Sequence, residues 1–541
     1  MRDYDLVRDR GFFERPPGRG WLASWIFSTD HKRVAILYLA STGAFFAAGA
    51  AAGLLMHLEL LGPGRTVMDA RTYGQAFTIH GVVMVFLVII PAAPGVFGNF
   101  LLPLMIGARN VAFPRLNLLA WWLHVAGGAL VAFSLVSGPG AADTGWTFYV
   151  PYSLLSGGGV ALPLFAVFVL AVSSMLTAMN FITTVHGLRA PWLGWFRLPL
   201  FVWSVYAAAW VQLLAAPVLG AAALMVIAER YLGVGLFDPA VGGDPVLYQH
   251  LFWIYSHPAA YVMILPAMGA AAEIIPVFAR KAAFGYRAVA YSSIAMALLG
   301  SMAWGQHMFV SGSSQTAGVV FSLFTFLAAV PAAVMVFNWA ATLHRGSVVV
   351  ETPLLYALAF VFLLVVGGLT GLVLGALSLN VHLHDTYFVV GHLHYVALGG
   401  AVTGFLAALH YWFPKIFGRM YSQRAANAAL AVLFVGLNML CFPMLVLGAE
   451  GMPRRYYDYL PRYHDMQVLS TVGSWVVAAG LLFVFANLAR ALSGRGRRAE
   501  ANPWKAATLE WKTTSPPPEE NFKRPPAAAG GPYDFRSIDL E

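Results

Sequence analysis

Twelve apolar stretches, each at least as long as the roughly 20 residues that cross a bilayer, are the strongest constraint on this fold. A backbone inside hydrocarbon must satisfy its own hydrogen bonds, so we expect each stretch to be a helix. The sequence predicts an all-α integral membrane protein with twelve transmembrane helices in a core at 34–493, between an N-terminal segment at 1–33 and a polar, Pro-rich tail at 494–541. The predicted spans are 34–62, 76–107, 117–138, 157–185, 197–229, 246–279, 288–311, 316–344, 353–376, 387–414, 426–449 and 468–493.

Composition narrows the chemistry that the chain can support. Only 11% of its residues are charged, against about 25% in soluble domains, so water cannot be its main solvent. Cys441 is the single cysteine, which excludes a disulfide framework, iron–sulfur clusters and thiolate-built metal sites. Any metal must therefore be held by nitrogen and oxygen ligands.

Basic residues set the orientation in the membrane. The loops on the N-terminal side hold most of them, and the opposite loops hold fewer, so the positive-inside rule places both termini in the cytoplasm. We expect a multi-pass protein of the bacterial inner membrane, and the net charge of +9 needs no nucleic-acid partner to explain it. The N-terminal segment mixes acidic residues with its basic ones and has no signal-peptide core; the basic residues are Arg2, Arg8, Arg10, Arg15, Arg19, Lys32 and Arg33.

Five histidines lie inside the predicted spans, where ionisable side chains are costly and usually functional. Given the orientation above, all five fall in the outer half of the bilayer. A single histidine could be explained by packing between helices. A common depth for five favours a shared cofactor site. They are His80 in the second span, His257 in the sixth, His307 in the seventh, and His392 and His394 in the tenth.

The spacing of these histidines indicates haem and copper. His392 and His394 are two residues apart, so they point about 200° apart on a helix and could each ligate a different haem. A histidine from another span, such as His80, would complete the low-spin haem and leave the other haem open. His257 and Tyr261 share one helical face, where imidazole can bind copper and a phenol can supply an electron and a proton.

Short motifs along nearly the whole chain resemble subunit I of the cytochrome c oxidase branch of the haem–copper oxidase superfamily. The motifs occur in the family's order. They are Thr78-Ile79-His80-Gly81, Phe97-Gly98-Asn99, Phe113-Pro114-Arg115-Leu116-Asn117, Gly145-Trp146-Thr147, Gly243-Asp244-Pro245, Trp304-Gly305-Gln306-His307-Met308, His384-Asp385-Thr386-Tyr387 and Gly451-Met452-Pro453-Arg454-Arg455-Tyr456.

The resemblance implies a role for each of these positions. The fold would enclose two haems and a metal site. His80 and His394 would bind the low-spin haem, His392 the high-spin haem, and His257 and His307 the copper. The remaining positions are a magnesium-like pair, His384 and Asp385, and partners of the haem propionates, Arg454, Arg455 and Trp146.

The metal site departs from the family pattern at Gln306, where the family has a second adjacent histidine. An amide oxygen is a harder and weaker copper ligand than imidazole. Copper could be held by two histidines, be bound weakly with Gln306, or be replaced by another metal. His57 stands where the family usually has an arginine near the formyl group of a haem of the a type, so types a, b and o all stay open.

The usual proton routes also lack their titratable groups. Asn110 replaces the acid at the mouth of one channel, Ala259 replaces a glutamate, and Met335 replaces the lysine of the second channel. Such a relay needs titratable side chains or ordered water. Tyr255 and Ser256 resemble the pair that one subgroup of oxidases uses in place of the glutamate.

Three functions fit these residues. We favour nitric oxide reduction to N2O, because the altered metal site and the lost proton routes fit its smaller demand for protons. The alternative is an oxygen-reducing cytochrome c oxidase with a modified copper site, which Tyr261 favours. A non-catalytic electron-relay subunit is the third, and the retained His257, Tyr261, His307 and His392 argue against it.

Electrons must enter through a partner. With one cysteine, the chain cannot build the two-cysteine copper centre that the family carries in its second subunit. We expect such a second subunit, fed by cytochrome c or a similar donor, and further small membrane subunits around the same core. The substrate would be O2 or NO.

Overall fold

The structure, a computed structural model, describes residues 11–14, 18, 20–522, 526 and 531–535. The basic residues Arg2, Arg8, Arg10, Arg15 and Arg19 of the N-terminal segment lie outside the described residues. Within them, helix dominates and no β-strand occurs, only isolated bridges.

Twelve helices of the described residues are long and apolar enough to cross a membrane, which confirms the predicted fold class. Two begin about two turns before their apolar stretch, because polar residues such as Arg71 and Gln75 continue the helix beyond the apolar part. The helices are α1 His31–Glu59, α2 Ala70–Met105, α3 Pro114–Val136, α4 Ala161–Gly187, α5 Leu200–Leu232, α6 Pro245–Ala279, α7 Tyr286–Met308, α8 Gln315–Leu343, α9 Thr352–Gly375, α10 Tyr387–Phe417, α11 Gln423–Ala449 and α12 Pro461–Arg495.

Helix α6 is the centre of the bundle. About 94% of its most apolar stretch is buried, far more than in the peripheral helices α8 and α9. It packs against α5, α7, α8, α9 and α10. A helix that is apolar all round belongs in such a position. Its side chains are therefore held on every face, which suits a helix that carries His257 and Tyr261.

Three of the helices change their winding next to the candidate ligands. Helix α2 contains π-helical turns at Val83–Ile89 and Pro94–Gly98, and α10 contains one at Tyr395–Val402. His80 lies three residues before the first of these turns, and His394 lies directly before the last. Regular α7 ends at Met302, and a 3-10 turn at Trp304–Met308 carries Gln306 and His307. Irregular turns of this kind are frequent at functional sites.

The tail is packed against the bundle rather than left in solvent. It has almost no helix beyond a short 3-10 turn at Leu509–Lys512, yet Trp504 and Trp511 are almost completely buried. Asn521 is also buried and connects the tail to the start of α1. Its Oδ1 accepts from Lys32 Nζ at 2.8 Å, and its Nδ2 lies 2.9 Å from His31 Nε2 and donates to the Ala108 carbonyl at 2.8 Å. Both ends of the described chain therefore meet on one face of the membrane domain.

We expect Asn521→Ala to destabilise the protein. The change leaves the Lys32 ammonium and the His31 imidazole buried with fewer partners, which costs about 1–3 kcal/mol or more where a charge is involved. Thermal denaturation in detergent, followed by loss of helical circular dichroism, should show a lower midpoint. Lys512→Ala, an exposed change in the same tail, is the matched control and should leave the midpoint in place. Equal midpoints for both variants would show that Asn521 does not anchor the tail.

Candidate haem and metal site

His80 on α2 and His394 on α10 face each other across the bundle. Their ring centroids are 6.4 Å apart and their planes are nearly parallel, at 9°. Metal–imidazole nitrogen bonds are about 2 Å long, so rings on opposite sides of one metal would have centroids about 6 Å apart. The spacing of the two rings therefore fits a haem iron between them.

Backbone carbonyls fix the orientation of both rings. His80 Nδ1 donates to the Gly49 carbonyl at 2.8 Å, and His394 Nδ1 donates to the Val390 carbonyl at 2.8 Å. This is the usual arrangement of ligating histidines, because it leaves Nε2 unprotonated for the metal. His57 lies close to both rings. The pair is thus prepared for an iron by its own hydrogen bonds.

His392 points away from this pair, towards α9. Its Nδ1 donates to the Gly367 carbonyl at 3.1 Å and lies 3.1 Å from Thr370 Oγ1, so its Nε2 is also free to bind a metal. A Cβ on Gly371 would stand 3.1 Å from His392 Cε1, so the imidazole fills the space that this glycine leaves. The two-residue spacing of His392 and His394 therefore separates their rings between α9 and α2.

A second group of side chains, which we call the metal cluster, lies between α6 and the 3-10 turn of α7. His257 Nδ1 lies 3.1 Å from His307 Nε2 and 3.3 Å from Gln306 Nε2. Trp253 stacks on the His307 ring with centroids 3.6 Å apart and planes at 7°. Two nitrogens at this separation fit a single metal with a bond angle of about 100° for bonds of about 2 Å.

Gln306 completes this cluster with an amide. Its Oε1 accepts from Thr325 Oγ1 at 2.9 Å, and the same hydroxyl can instead donate to the Phe321 carbonyl at 2.9 Å. Because a hydroxyl both donates and accepts, Thr325 can satisfy either orientation of the amide. The reversed orientation presents Oε1 to the side of His257 Nδ1. Within the described residues, no group of three His, Cys, Asp or Glu side chains converges as a metal site, so the cluster consists of two imidazoles and one amide.

Tyr261 is placed beside the metal cluster. Its ring centroid is 5.8 Å from that of His257, one helical turn away on α6. A Cβ on Gly300 would overlap the phenol ring, so α7 needs a glycine at this point. The phenol and the imidazoles of His257 and His307 therefore share one compartment between α6 and α7.

The loop before α12 holds the predicted anion-binding residues. Arg454 Nε donates to Asp385 Oδ1 at 2.8 Å, and Asp385 lies 3.5 Å from the His384 ring. Arg455 has no partner at its buried Nε. Burial and the neighbouring Arg454 lower the pKa of Arg455 to about 10. A carboxylate such as a haem propionate would stabilise this guanidinium by accepting a hydrogen bond from it and by balancing its charge.

Trp146 lies between the candidate haem ligands and the metal cluster. Its ring is 6.0 Å from Trp253, which stacks on His307, and a Cβ on Gly81 would stand 2.7 Å from Trp146 Cβ. His384 and Asp385 form only a pair. Because Asp385 is already bound by Arg454, a magnesium ion would need most of its oxygen ligands from water or from another chain.

The positions where proton-route residues are replaced are apolar or already hydrogen-bonded. Ala259 and Met335 are buried and cannot titrate, and Asn110 Nδ2 donates to the Thr29 carbonyl at 3.0 Å. Tyr255 and Ser256 are buried directly before His257, and Ser256 Oγ has no partner.

Several buried ionisable residues of the spans escaped the sequence reasoning. They include His124 on α3 and His410 on α10, each with Nε2 unpartnered among the described residues, and Glu273 on α6, which accepts from Tyr533 Oη at 2.8 Å. The rule that ionisable residues inside a membrane are functional would have found them if it had been applied residue by residue.

Fold and geometry together define a class. The chain is an integral membrane protein that holds five histidines as two groups inside its helical bundle, with geometry that fits metal binding. The family model described as "Cytochrome C and Quinol oxidase polypeptide I" matches residues 33–476, so the chain belongs to the subunit I family of the haem–copper oxidases.

Known relatives agree with this assignment. A "Cytochrome c oxidase subunit 1" from Synechocystis is 42% identical, covering 97% of this chain and 95% of the relative. The protein of the same name from Cereibacter sphaeroides is 40% identical, covering 94% and 96%. In fold, the chain resembles a solved haem–copper terminal oxidase dimer with a TM-score of 0.73 at 21% identity, covering 87% of this chain and 86% of that one. The relatives do not support the nitric oxide interpretation and favour the oxygen-reducing alternative.

We expect Gly53→Ala to disturb the low-spin haem. A Cβ at this position stands 3.0 Å from His80 Cε1, tighter than ordinary van der Waals contact, so the imidazole must shift by a few tenths of an ångström relative to His394. Changes that misplace a ligating histidine weaken metal binding about 10-fold or more. Reduced-minus-oxidised absorption spectra after detergent washing should show loss of the low-spin band.

Gly43→Ala on the same helix is the control, since its Cβ would meet nothing within 4 Å. Its spectrum should match that of the unaltered protein. A full low-spin band in Gly53→Ala would contradict the assignment of His80 as a ligand of the low-spin haem.

Proposed function

We propose that this chain is the catalytic subunit of an oxygen-reducing haem–copper oxidase whose metal site contains two histidines and a glutamine. The observation that carries the proposal is the phenol of Tyr261 beside the His257–His307 pair. Cleaving O2 in one step needs one more electron than two metals readily give, and a neighbouring phenol can supply it together with a proton. Nitric oxide reduction needs no such group.

The site residues have separate tasks in this proposal. His80 and His394 would hold the low-spin haem and His392 the high-spin haem. His257 and His307 would hold the copper, with Gln306 as a weaker third ligand. When bound, the haems and the metal supply the electrons and the binding site for the gas. Arg454, Arg455 and Trp146 would position the haem propionates, and His384 with Asp385 would supply part of a magnesium site.

The chain's own residues control protons and position at the site. Tyr261 holds a proton at its hydroxyl and is fixed against Gly300, so its distance from His257 cannot vary much. Trp253 holds the His307 ring flat against its own face and keeps water from that side. Thr325 orients the Gln306 amide. These contacts keep the reacting groups in place, which is the main contribution that a protein makes around a cofactor.

Electrons reach this chain from a partner on the outer side of the membrane. The relatives are named cytochrome c oxidases, and we propose the same donor class, acting through a second subunit. The family's own pattern places the electron-entry centre in that second subunit. His57 lies near both candidate low-spin ligands, where the family usually has an arginine beside the formyl group of the haem. The shorter imidazole favours a low-spin haem without that formyl group.

Gln306 should determine how firmly the metal is held. Imidazole is the better copper ligand, so Gln306→His should slow the loss of copper to a chelator and Gln306→Ala should speed it. The measurement is the copper content per two haems after timed exposure to the chelator. Thr325→Val, which removes only the hydroxyl that orients the amide, should give a loss rate between those of the unaltered protein and Gln306→Ala. Equal rates in all four proteins would show that Gln306 is not a ligand.

Turnover of the purified complex with O2 and with NO tests the function itself. We expect rapid O2 consumption, and Tyr261→Phe should lower it about 100-fold or more, the usual contribution of a positioned proton donor. Tyr291→Phe, on the exposed face of α7, is the control and should keep full activity. Production of N2O from NO without O2 consumption would contradict the proposal.

A further inference from the structure

A polar cavity lies in the membrane domain between α1, α2, α3, α4, α5 and α6. The space open to the centres of water molecules is about 30 Å³, enough for about two waters. Polar side chains come from five of these helices. They are Tyr38, His124, Ser173, Ser174, Thr177, Gln212 and Tyr255. Such a lining is suited to ordered water, whereas cavities that stay dry are apolar.

His124 is the one imidazole that lines this cavity. It is 1% exposed, and its Nε2 has no hydrogen-bond partner. Its ring packs against Tyr38, with centroids 5.3 Å apart, and against Phe45, at 5.4 Å. Buried polar atoms are almost always satisfied by protein or water, so an unpartnered nitrogen beside a polar cavity indicates a water partner.

Polar side chains lead from the cavity to the face of the bundle where the chain ends meet. On α4, Ser173, Thr177, Asn180 and Thr184 follow one another at intervals of three or four residues, so they form one buried stripe. At its end, Asn180 Oδ1 accepts from Phe113 N and Thr184 Oγ1 accepts from Ala112 N, both at 2.9 Å.

Helix α3 adds a second line beside this stripe. Asn117 lies seven residues before His124, on the same helical face. It is 0% exposed, and neither its Oδ1 nor its Nδ2 has a partner. Ser173 Oγ donates to the Ala120 carbonyl at 2.6 Å, so the stripe of α4 and this face of α3 are in direct contact. Unsatisfied amide atoms between the two helices mark further positions for water.

On α6, the cavity lining stands two residues before a candidate metal ligand. Tyr255 lines the cavity, Ser256 follows with an unpartnered Oγ, and the next residue is His257. The polar groups of α3 and α4 therefore form a discontinuous line from the loop at 110–113 to the cavity, and Tyr255 joins the cavity to the helix that carries His257. His124 lies between the amides and hydroxyls of the loop side, such as Asn117, and the hydroxyl of Tyr255 on α6.

We propose that His124 is a proton-relay residue, which accepts protons from water on the Asn117 side and releases them to water on the Tyr255 side. On uptake, an O–H bond of a protonated water breaks and an N–H bond forms at Nε2. On release, that N–H bond breaks, an O–H bond forms on a water molecule at the Tyr255 side, and the ring returns to its neutral form. The relay rests on the proposed function, in which the metal site consumes protons. It also supplies the titratable group that the sequence lacks at Asn110 and Ala259.

Few other titratable groups face this imidazole. Tyr38 from α1 and Tyr255 from α6 line the same cavity, and no charged side chain lines it. The lining residues of α2, α4 and α5 do not titrate. A change in pH dependence after substitution of His124 is therefore attributable to the imidazole itself.

The test uses the purified complex in liposomes and does not depend on turnover. Chemical reduction of the haems in the absence of any gas draws in protons, and a pH-sensitive dye measures their rate of uptake across pH. We expect His124→Gln and His124→Leu to slow this uptake by about 100-fold or more, the contribution typical of a positioned proton carrier, and to flatten its pH dependence. Phe45→Leu, which alters the apolar neighbour of the same ring, is the control and should leave the rate unchanged.

Haem spectra of each variant distinguish a relay from a packing role. The glutamine keeps polarity and similar size, so intact spectra with slow uptake would support the relay even if the leucine variant loses haem. Uptake at the unaltered rate in either intact variant would overturn it, and so would loss of haem in both. Because no gas is present, the result holds whether the complex reduces O2 or NO.

Discussion

Imidazole rings held at fixed angles inside the bundle are the constraint on which the rest of this structure depends. A histidine in hydrocarbon is costly unless both its nitrogens have partners. His80, His392 and His394 each give Nδ1 to a backbone carbonyl of a neighbouring turn or helix, and each leaves Nε2 for something else. Glycines at positions 53 and 371 make room for the rings. The helices are therefore shaped around imidazoles whose Nδ1 is bound by backbone and whose Nε2 is open to a metal.

In the metal cluster, neighbouring side chains likewise fix the candidate ligands, but one of these ligands is an amide, which binds copper more weakly than imidazole does. His257 and His307 approach each other to 3.1 Å, and Trp253 stacks on the second ring. Gln306 adds an amide whose orientation a single hydroxyl, that of Thr325, can satisfy in either direction. In the proposed site, an adaptable third ligand stands in place of a strong one, while Tyr261 stays beside it. The proposal of oxygen reduction depends on that phenol rather than on the third ligand.

The sequence predicted the parts of this arrangement that depend on hydropathy and on helical spacing. Twelve long apolar stretches determine the fold, and the spacing of His392 and His394 determines that their rings separate. The partner of Gln306 could not be predicted, because Thr325 lies on another helix, 19 residues away. The described part of the tail has almost no helix. Its burial depends on Trp504, Trp511 and Asn521, which meet distant parts of the chain. The cavity beside His124 could not be predicted, because it exists only once six helices are assembled.

Axial ligation of the two haems tests the central claim most directly. Low-temperature near-infrared magnetic circular dichroism of the oxidised complex distinguishes an iron held by two imidazoles from one held by other pairs of ligands. We expect one low-spin haem with two imidazole ligands, from His80 and His394, and one high-spin haem, held by His392, in equal amounts. A single haem, or a low-spin haem without two imidazoles, would contradict the assignment of these three histidines.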